Sequence, residues 1–236
     1  MVDHLSIADR VARIRGTIDD TLSRTGQKNR YVKIVAVTKT RTADEMIEAA
    51  RSGVDAIGEN RVQEALDKRA KWPEDIKTPW HMVGHLQRNK ARKALEVFSC
   101  IQSLSRRRLA DTLQRLMEEK DDRLPVLMEV NISGEESKHG VEPKHAEELA
   151  EYILGFCDQL KLEGLMGIAP FTENEKRVRS SFSQLRDLRD RLSGRLDVEL
   201  PTLSMGMSND YLAAVAEGST MVRIGTALFG NRKTTG

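Results

Sequence analysis

Short apolar runs recur eight times along this chain, and each is followed by a charged or amphipathic stretch of helical period. The runs are Ile34–Thr40, Val54–Asn60, Trp80–His85, Phe98–Leu104, Val126–Ile132 introduced by Pro125, Leu162–Ala169, Leu203–Met207 and Met221–Leu228. The first is continuous in Ile, Val and Ala, as a parallel strand covered on both faces is. Helices are expected between the runs, over about Thr42–Ser52, Arg61–Lys71, Arg88–Leu95, Arg106–Lys120, Pro143–Phe156, Glu173–Leu192 and Asn209–Glu217. Eight strands alternating with helices place the chain in the α/β class and predict a (β/α)8, or TIM, barrel. The main competitor is an open doubly wound sheet, which normally carries a glycine-rich fingerprint after its first strand. Here Thr38-Lys39-Thr40-Arg41-Thr42 contains no glycine.

Ahead of the first strand, Ile7, Val11, Ile14, Ile18 and Leu22 fall at spacings of four and three, and Gly26 is placed to stop a helix. An extra amino-terminal helix from residue 3 to about 25 is therefore expected. Thr42-Ala43-Asp44-Glu45 has the form of a capping box and should start the next one. With 236 residues and no low-complexity linker, the chain is expected to form a single domain over 1–236, with a polar tail that frays after Gly230.

Charge and cysteine usage argue against several function classes. The 38 basic and 36 acidic residues leave a net charge of +2, too small a field to demand nucleic acid or an acidic membrane. The clusters Arg88–Lys93 and Arg106–Arg108 read most simply as solvated helix faces, and 4% aromatic residues give no stacking platform for single strands. Cys100 and Cys157 lack metal-ligand spacing, and Met1-Val2-Asp3-His4 leads into no apolar signal core, so a cytoplasmic setting is expected. No segment approaches the roughly 20 apolar residues of a membrane helix.

Candidate chemistry gathers at the strand ends. Lys39 closes the first apolar run and is expected to be buried; desolvation disfavours an ammonium, and a neutral amine can attack a carbonyl to form an imine. The alternative is a stem that snorkels to solvent. After strand seven, Ser204-Met205-Gly206-Met207-Ser208-Asn209-Asp210 offers hydroxyls, a glycine and exposed amides at a helix start; after strand eight come Gly225 and Thr226. Together the two segments can wrap a phosphate, the group that barrels often bind there. Taken singly, Ser208 is an N-cap and Gly206 a packing glycine.

Alternation puts Met221, Arg223 and Gly225 on one face, so Arg223 either points to the barrel mouth or pairs with Glu129 or Glu59. Glu59-Asn60, His85 and Asn131 close strands two, three and five, as a cofactor pocket requires and as ordinary turns also do. His85, near Trp80 and His81, has no partners at ligand spacing, so no metal site is expected. No convincing Ser-His-Asp arrangement stands out either.

Several segments together carry a resemblance. They are Ile34-Val35-Ala36-Val37-Thr38-Lys39, Gly58-Glu59-Asn60, Gly84-His85-Leu86-Gln87-Arg88-Asn89-Lys90, Gly164-Leu165-Met166, Ser204-Met205-Gly206-Met207-Ser208 and Arg223-Ile224-Gly225-Thr226 with Phe229-Gly230. Through them the chain resembles the YggS/PROSC family of pyridoxal-phosphate-binding homeostasis proteins. The resemblance implies a barrel like the amino-terminal domain of alanine racemase, with pyridoxal 5′-phosphate joined to Lys39 as an internal aldimine. It also implies that Ser204, Gly206, Met207, Ser208, Gly225 and Thr226 surround the phosphate, that Arg223 faces the pyridine nitrogen, and that Asn60 and Met166 lie beside the ring.

An arginine in that position stays protonated and disfavours the pyridinium form of the cofactor, so carbanion chemistry should be weak. The function implied is vitamin B6 homeostasis without robust catalysis: the cofactor is held and passed to apo forms of pyridoxal-phosphate enzymes by a monomer or weak dimer. An amino-acid racemase of low activity is the alternative. Racemases add a carboxyl-terminal β domain and a tyrosine base, and Tyr31, Tyr152 and Tyr211 match no such motif. A lysine-imine aldolase acting on a sugar phosphate would need no cofactor at all.

Overall fold

The computed structural model describes residues 5–135 and 138–230. The expected start of the first helix at Asp3 and His4, and the expected frayed tail after Gly230, lie outside the described residues. Eight strands, β1 (Lys33–Val37), β2 (Ala56–Glu59), β3 (Trp80–Met82), β4 (Cys100–Leu104), β5 (Leu124–Val130), β6 (Leu160–Gly167), β7 (Thr202–Ser204) and β8 (Met221–Ile224), pair in sequence order. β1 pairs in parallel with both β2 and β8, which closes the barrel.

Around it run α1 (Ile7–Arg24), α2 (Ala43–Arg51), α3 (Val62–Arg69), α4 (Ala91–Ala94), α5 (Arg107–Glu118), α6 (Ala146–Phe156), α7 (Glu175–Leu196), α8 (Tyr211–Ala216) and α9 (Thr226–Phe229). The main core lies between strands and helices, where Ile34, Ile57, Met82, Ile101, Met128, Leu165, Leu203 and Val222 face the apolar stripes of the ring. Full burial of a side chain of this kind contributes about 1.5–3 kcal/mol. α1 presents Val11, Ile14, Ile18 and Leu22 to this core, and Thr17 meets Tyr211 of α8 at 2.8 Å. It thus covers a stretch of barrel that the four-residue α9 is too short to cover.

The capping box is present: Glu45 N donates to Thr42 Oγ1 at 3.2 Å, and Thr42 N donates to Glu45 Oε2 at 2.8 Å. Several boundaries differ from expectation, and three of them are instructive. β8 stops at Ile224, and Thr226–Phe229 wind into α9. An apolar run of this length has no period that separates strand from helix. β1 stops at Val37, because Thr38–Arg41 form a turn in which Arg41 N donates to Thr38 O at 2.9 Å. Pro125 lies inside β5, at its second residue, so it does not precede the strand. Among the described residues no helix is long and apolar enough to cross a membrane, and no three His, Cys, Asp or Glu side chains gather as a metal site.

Candidate functional site

Period-two alternation sends every second residue of each strand inward, and this interior is unusually polar. Its apolar part includes Val35, Ala56, Val83 and Met221. The rest holds a directed chain of hydrogen bonds. Arg223 Nη1 donates to Ser204 Oγ at 2.8 Å, Ser204 Oγ donates to Gln102 Oε1 at 2.6 Å, and Gln102 Nε2 lies 2.8 Å from His81 Nδ1. Burial, with Lys33 nearby, pushes the His81 pKa down to about 4, so its ring is neutral and can accept that bond.

Arg223 is 4% exposed, and it also donates from Nη1 to Ser204 O at 2.6 Å and from Nη2 to Gly167 O at 2.9 Å. Burial lowers its pKa to about 10, opposed by Glu129 and Asp210, and it stays cationic at neutral pH. Neither Glu129 nor Glu59 makes the ion pair left open by the sequence: carbonyls and a hydroxyl hold the guanidinium. Glu129, on β5 in register with Met166, is buried with Oε2 unpaired, and burial raises its pKa to about 7 against the pull of Arg223.

At the carboxyl ends the β1, β7 and β8 turns converge. Gly225 follows Ile224, whose register partner is Ala36, and a Cβ on Gly225 would lie 3.6 Å from Val37 O. Arg41 Nη2 donates to Gly230 O at 2.5 Å and Arg41 Nη1 to Phe229 O at 3.3 Å, tying the turn that carries Lys39 to the end of α9. Opposite this turn, Gly225 N and Ala227 N both donate to Ser208 Oγ, at 3.2 and 3.1 Å. Met207 N donates to Asp210 Oδ1 at 2.5 Å. Two loops therefore present amides that already converge on oxygen, which is the arrangement an oxyanion requires.

The expected site residues fall into three groups. Lys39, Ser208, Gly225 and the exposed Thr226 come together at the mouth, with the half-exposed Met207 beside them. Arg223, Met166 and Asn60 lie at or below its floor, and Asn60 Oδ1 is a buried acceptor without a partner. Ser204 sits deeper than expected, and Gly206 carries a packing demand of its own. The Ser204 hydroxyl is fully buried between Arg223 and Gln102, so it lies beneath the cradle and orients the arginine. Gly206, at φ 95, is required by packing, since a Cβ there would meet Ala214 Cβ at 2.6 Å.

Lys39 is a correction in its own right: it is exposed, beyond the end of β1, and among the described residues no hydrogen bond or ion pair engages its amine. Among the described residues the buried lysine is Lys68 on α3, whose ammonium donates to Thr38 O, Glu59 Oε1 and Glu64 Oε1. His85 stacks on His139 at 4.3 Å between ring centroids, and burial, with His139 and Arg106, lowers its pKa. Asn131 spends its side chain inside the β5–α6 loop, on Glu135 O and Ser133. Sequence reasoning missed Gln102 and the role of His81, because the register His81↔Cys100 that brings the two together is set by the fold.

A closed parallel barrel with a cationic floor and an amide cradle after its last two strands is a scaffold for a phosphorylated ligand. The family described as alanine racemase, N-terminal domain, matches residues 15–233. The pyridoxal phosphate homeostasis protein of Aquifex aeolicus (strain VF5) is 41% identical over 229 residues, which cover 97% of this chain and 100% of the relative. PipY of Synechococcus elongatus PCC7942, solved with PLP bound, superposes with a TM-score of 0.83 at 35% identity, over 95% of this chain and 100% of that one. Alanine racemase of Clostridium difficile 630 shares the fold, with a TM-score of 0.69 at 18% identity over 96% of this chain and 57% of that one. The chain belongs to the alanine racemase N-terminal domain family and, within it, to the pyridoxal phosphate homeostasis proteins.

Proposed function

We propose that this protein binds pyridoxal 5′-phosphate at the carboxyl end of its barrel, joins it to Lys39 as an imine, and serves intracellular cofactor homeostasis without robust catalysis. The observation that carries the reading is the Ser208 hydroxyl, which accepts from both Gly225 N and Ala227 N beside the Lys39 turn. Its oxygen, with Asp210 Oδ1 on Met207 N, marks where phosphate oxygens would accept. The donor set fits the cofactor in two further respects. Among the described residues, Asn60 Oδ1 is a buried acceptor still lacking a donor, and the accessible Lys39 amine is unengaged. When bound, the cofactor supplies an aldehyde that condenses with amines and a ring that can delocalise carbanion charge.

The residues of the chain favour the first chemistry over the second. Arg223, fixed by three hydrogen bonds and cationic, would meet the ring nitrogen without surrendering a proton to it. Met166 would pack beside the ring, and Gly206 and Thr226 would complete the phosphate loops. A racemase needs a second base opposite the lysine. The hydroxyls of Tyr31, Tyr152 and Tyr211 are instead engaged by Asp55, Asp111 and Thr17. Burial raises the thiols of Cys100 and Cys157 to about 12 and about 11, which leaves them poor nucleophiles.

The accessible lysine makes the imine open to exchange with another amine, so apo forms of pyridoxal-phosphate enzymes are the proposed recipients. Protein preloaded with cofactor should activate an apo-enzyme faster than passive release allows, while an amino-acid panel in deuterated water shows no α-hydrogen exchange above Lys39→Ala. Exchange well above that control would instead establish the racemase.

A further inference from the structure

We propose that Lys68, Glu59 and Glu64 are positioning residues of the cofactor site: they clamp the turn on both sides of Lys39 and fix where its amine points. This rests on the assignment of Lys39 as the attachment point. Glu59 ends β2, while Glu64 and Lys68 stand four residues apart on α3, with the glutamate amino-terminal to the lysine. Lys68 spends its three protons on Thr38 O at 2.7 Å, Glu59 Oε1 at 2.6 Å and Glu64 Oε1 at 2.7 Å. An ammonium so held between two carboxylates is no nucleophile, which sets it apart from Lys39.

Each carboxylate then grips one neighbour of Lys39. Thr38 Oγ1 donates to Glu59 Oε1 at 2.6 Å, and Thr40 N donates to Glu64 Oε1 at 2.6 Å. Burial would raise the pKa of Glu64, but its bonds from Lys68 and the Thr40 amide bring it below the usual value, so it acts as a carboxylate. Thr40 itself has φ 65, a left-handed conformation costly for a β-branched residue and one that turns of this kind give to glycine. Such backbone strain persists only where surrounding contacts impose it. Burying an ion cluster is a poor route to stability when apolar side chains would fill the same space. Holding a reactive group in one direction is a use that apolar packing cannot replace.

The test mixes apoprotein with pyridoxal phosphate, follows the rate at which the imine absorbance appears, and measures cradle affinity separately by competition with inorganic phosphate. Glu64→Leu removes the acceptor for Thr40 N and should slow imine formation roughly tenfold with phosphate competition unchanged, as misplacement of a reacting group does. Glu64→Gln keeps an acceptor oxygen and should restore the rate to within about threefold. Should the leucine crowd Lys68, Glu64→Ala makes the same deletion and keeps helix propensity. Wild-type rates in both deletions, or a loss of phosphate affinity in proportion to the rate, would overturn the clamp. If borohydride traps no adduct on Lys39 of the wild-type protein, the attachment assignment falls and the clamp with it. A Lys39 adduct formed at undiminished rate by the deletions sinks the clamp alone.

Discussion

Glu129→Gln should stabilise the protein at alkaline pH and much less at acid pH. Glu129 is 6% exposed with one carboxylate oxygen unpaired, and burial raises its pKa from 4.5 to about 7 despite Arg223. The folded state therefore binds this proton more tightly than the unfolded chain does. The associated stability is fully present below pH 4.5 and is lost as pH rises through about 7. At about 1.4 kcal/mol per tenfold change in proton affinity, the ionised side chain costs about 3 kcal/mol at pH 8 and about 1 kcal/mol at pH 5. Glutamine keeps the shape and has no charge to bury. In urea unfolding of both proteins at the two pH values, the advantage of the variant should widen by about 2 kcal/mol from pH 5 to pH 8. Other titrating groups are common to both proteins and cancel in the difference. A difference independent of pH would refute the reasoning, since it would mean that Glu129 is solvated or fully paired by Arg223 in solution.

His81 acts in the opposite direction. Its pKa is depressed from 6.5 to about 4, so stability is complete above pH 6.5 and should fall by up to about 1.4 kcal/mol per pH unit on acidification toward 4. Unfolding midpoints of His81→Gln, which does not titrate, should lack that slope. Asp210→Asn keeps an acceptor for Met207 N but removes a carboxylate from the cradle, and should tighten inorganic phosphate or pyridoxal phosphate binding about fivefold or more, measured by titration. Weaker binding would mean that Asp210 supports the cradle without competing in it. Gly206→Ala should cost about 1–3 kcal/mol in thermal unfolding, because φ is 95 and the new methyl meets Ala214 and Tyr211. An unchanged melting temperature would show that α8 yields freely.

The barrel was legible because eight apolar runs, each too short for a core helix and each followed by a helical stretch, leave few alternatives. The make-up of the loops after the last two strands was legible for a similar reason: their hydroxyls, glycines and amides are local features. What escaped was everything set by contacts across the barrel. Lys39 looked buried because an apolar run was assumed to continue through Thr40, but Thr40 adopts φ 65 and turns the chain out to solvent. The lysine that is buried among the described residues, Lys68, lies on α3 in a stretch rich in charge of both signs, and only the fold brings it to Thr38 and Glu59. Ser204 and Ser208 are equivalent as letters in Ser-Met-Gly-Met-Ser. Strand direction separates them, sending the first hydroxyl inward to Gln102 and Arg223 and leaving the second on the loop amides. Gln102 gave no signal by type, because a glutamine in a strand is informative only once its neighbours on adjacent strands are known.

The most direct test of the account is the visible absorption spectrum of the protein with pyridoxal phosphate, before and after borohydride, followed by peptide mass spectrometry. A yellow band that disappears on reduction, with the pyridoxyl group on Lys39 and no adduct on Lys68, is the predicted result. A protein that stays colourless with added cofactor, or an adduct on another lysine, would contradict it.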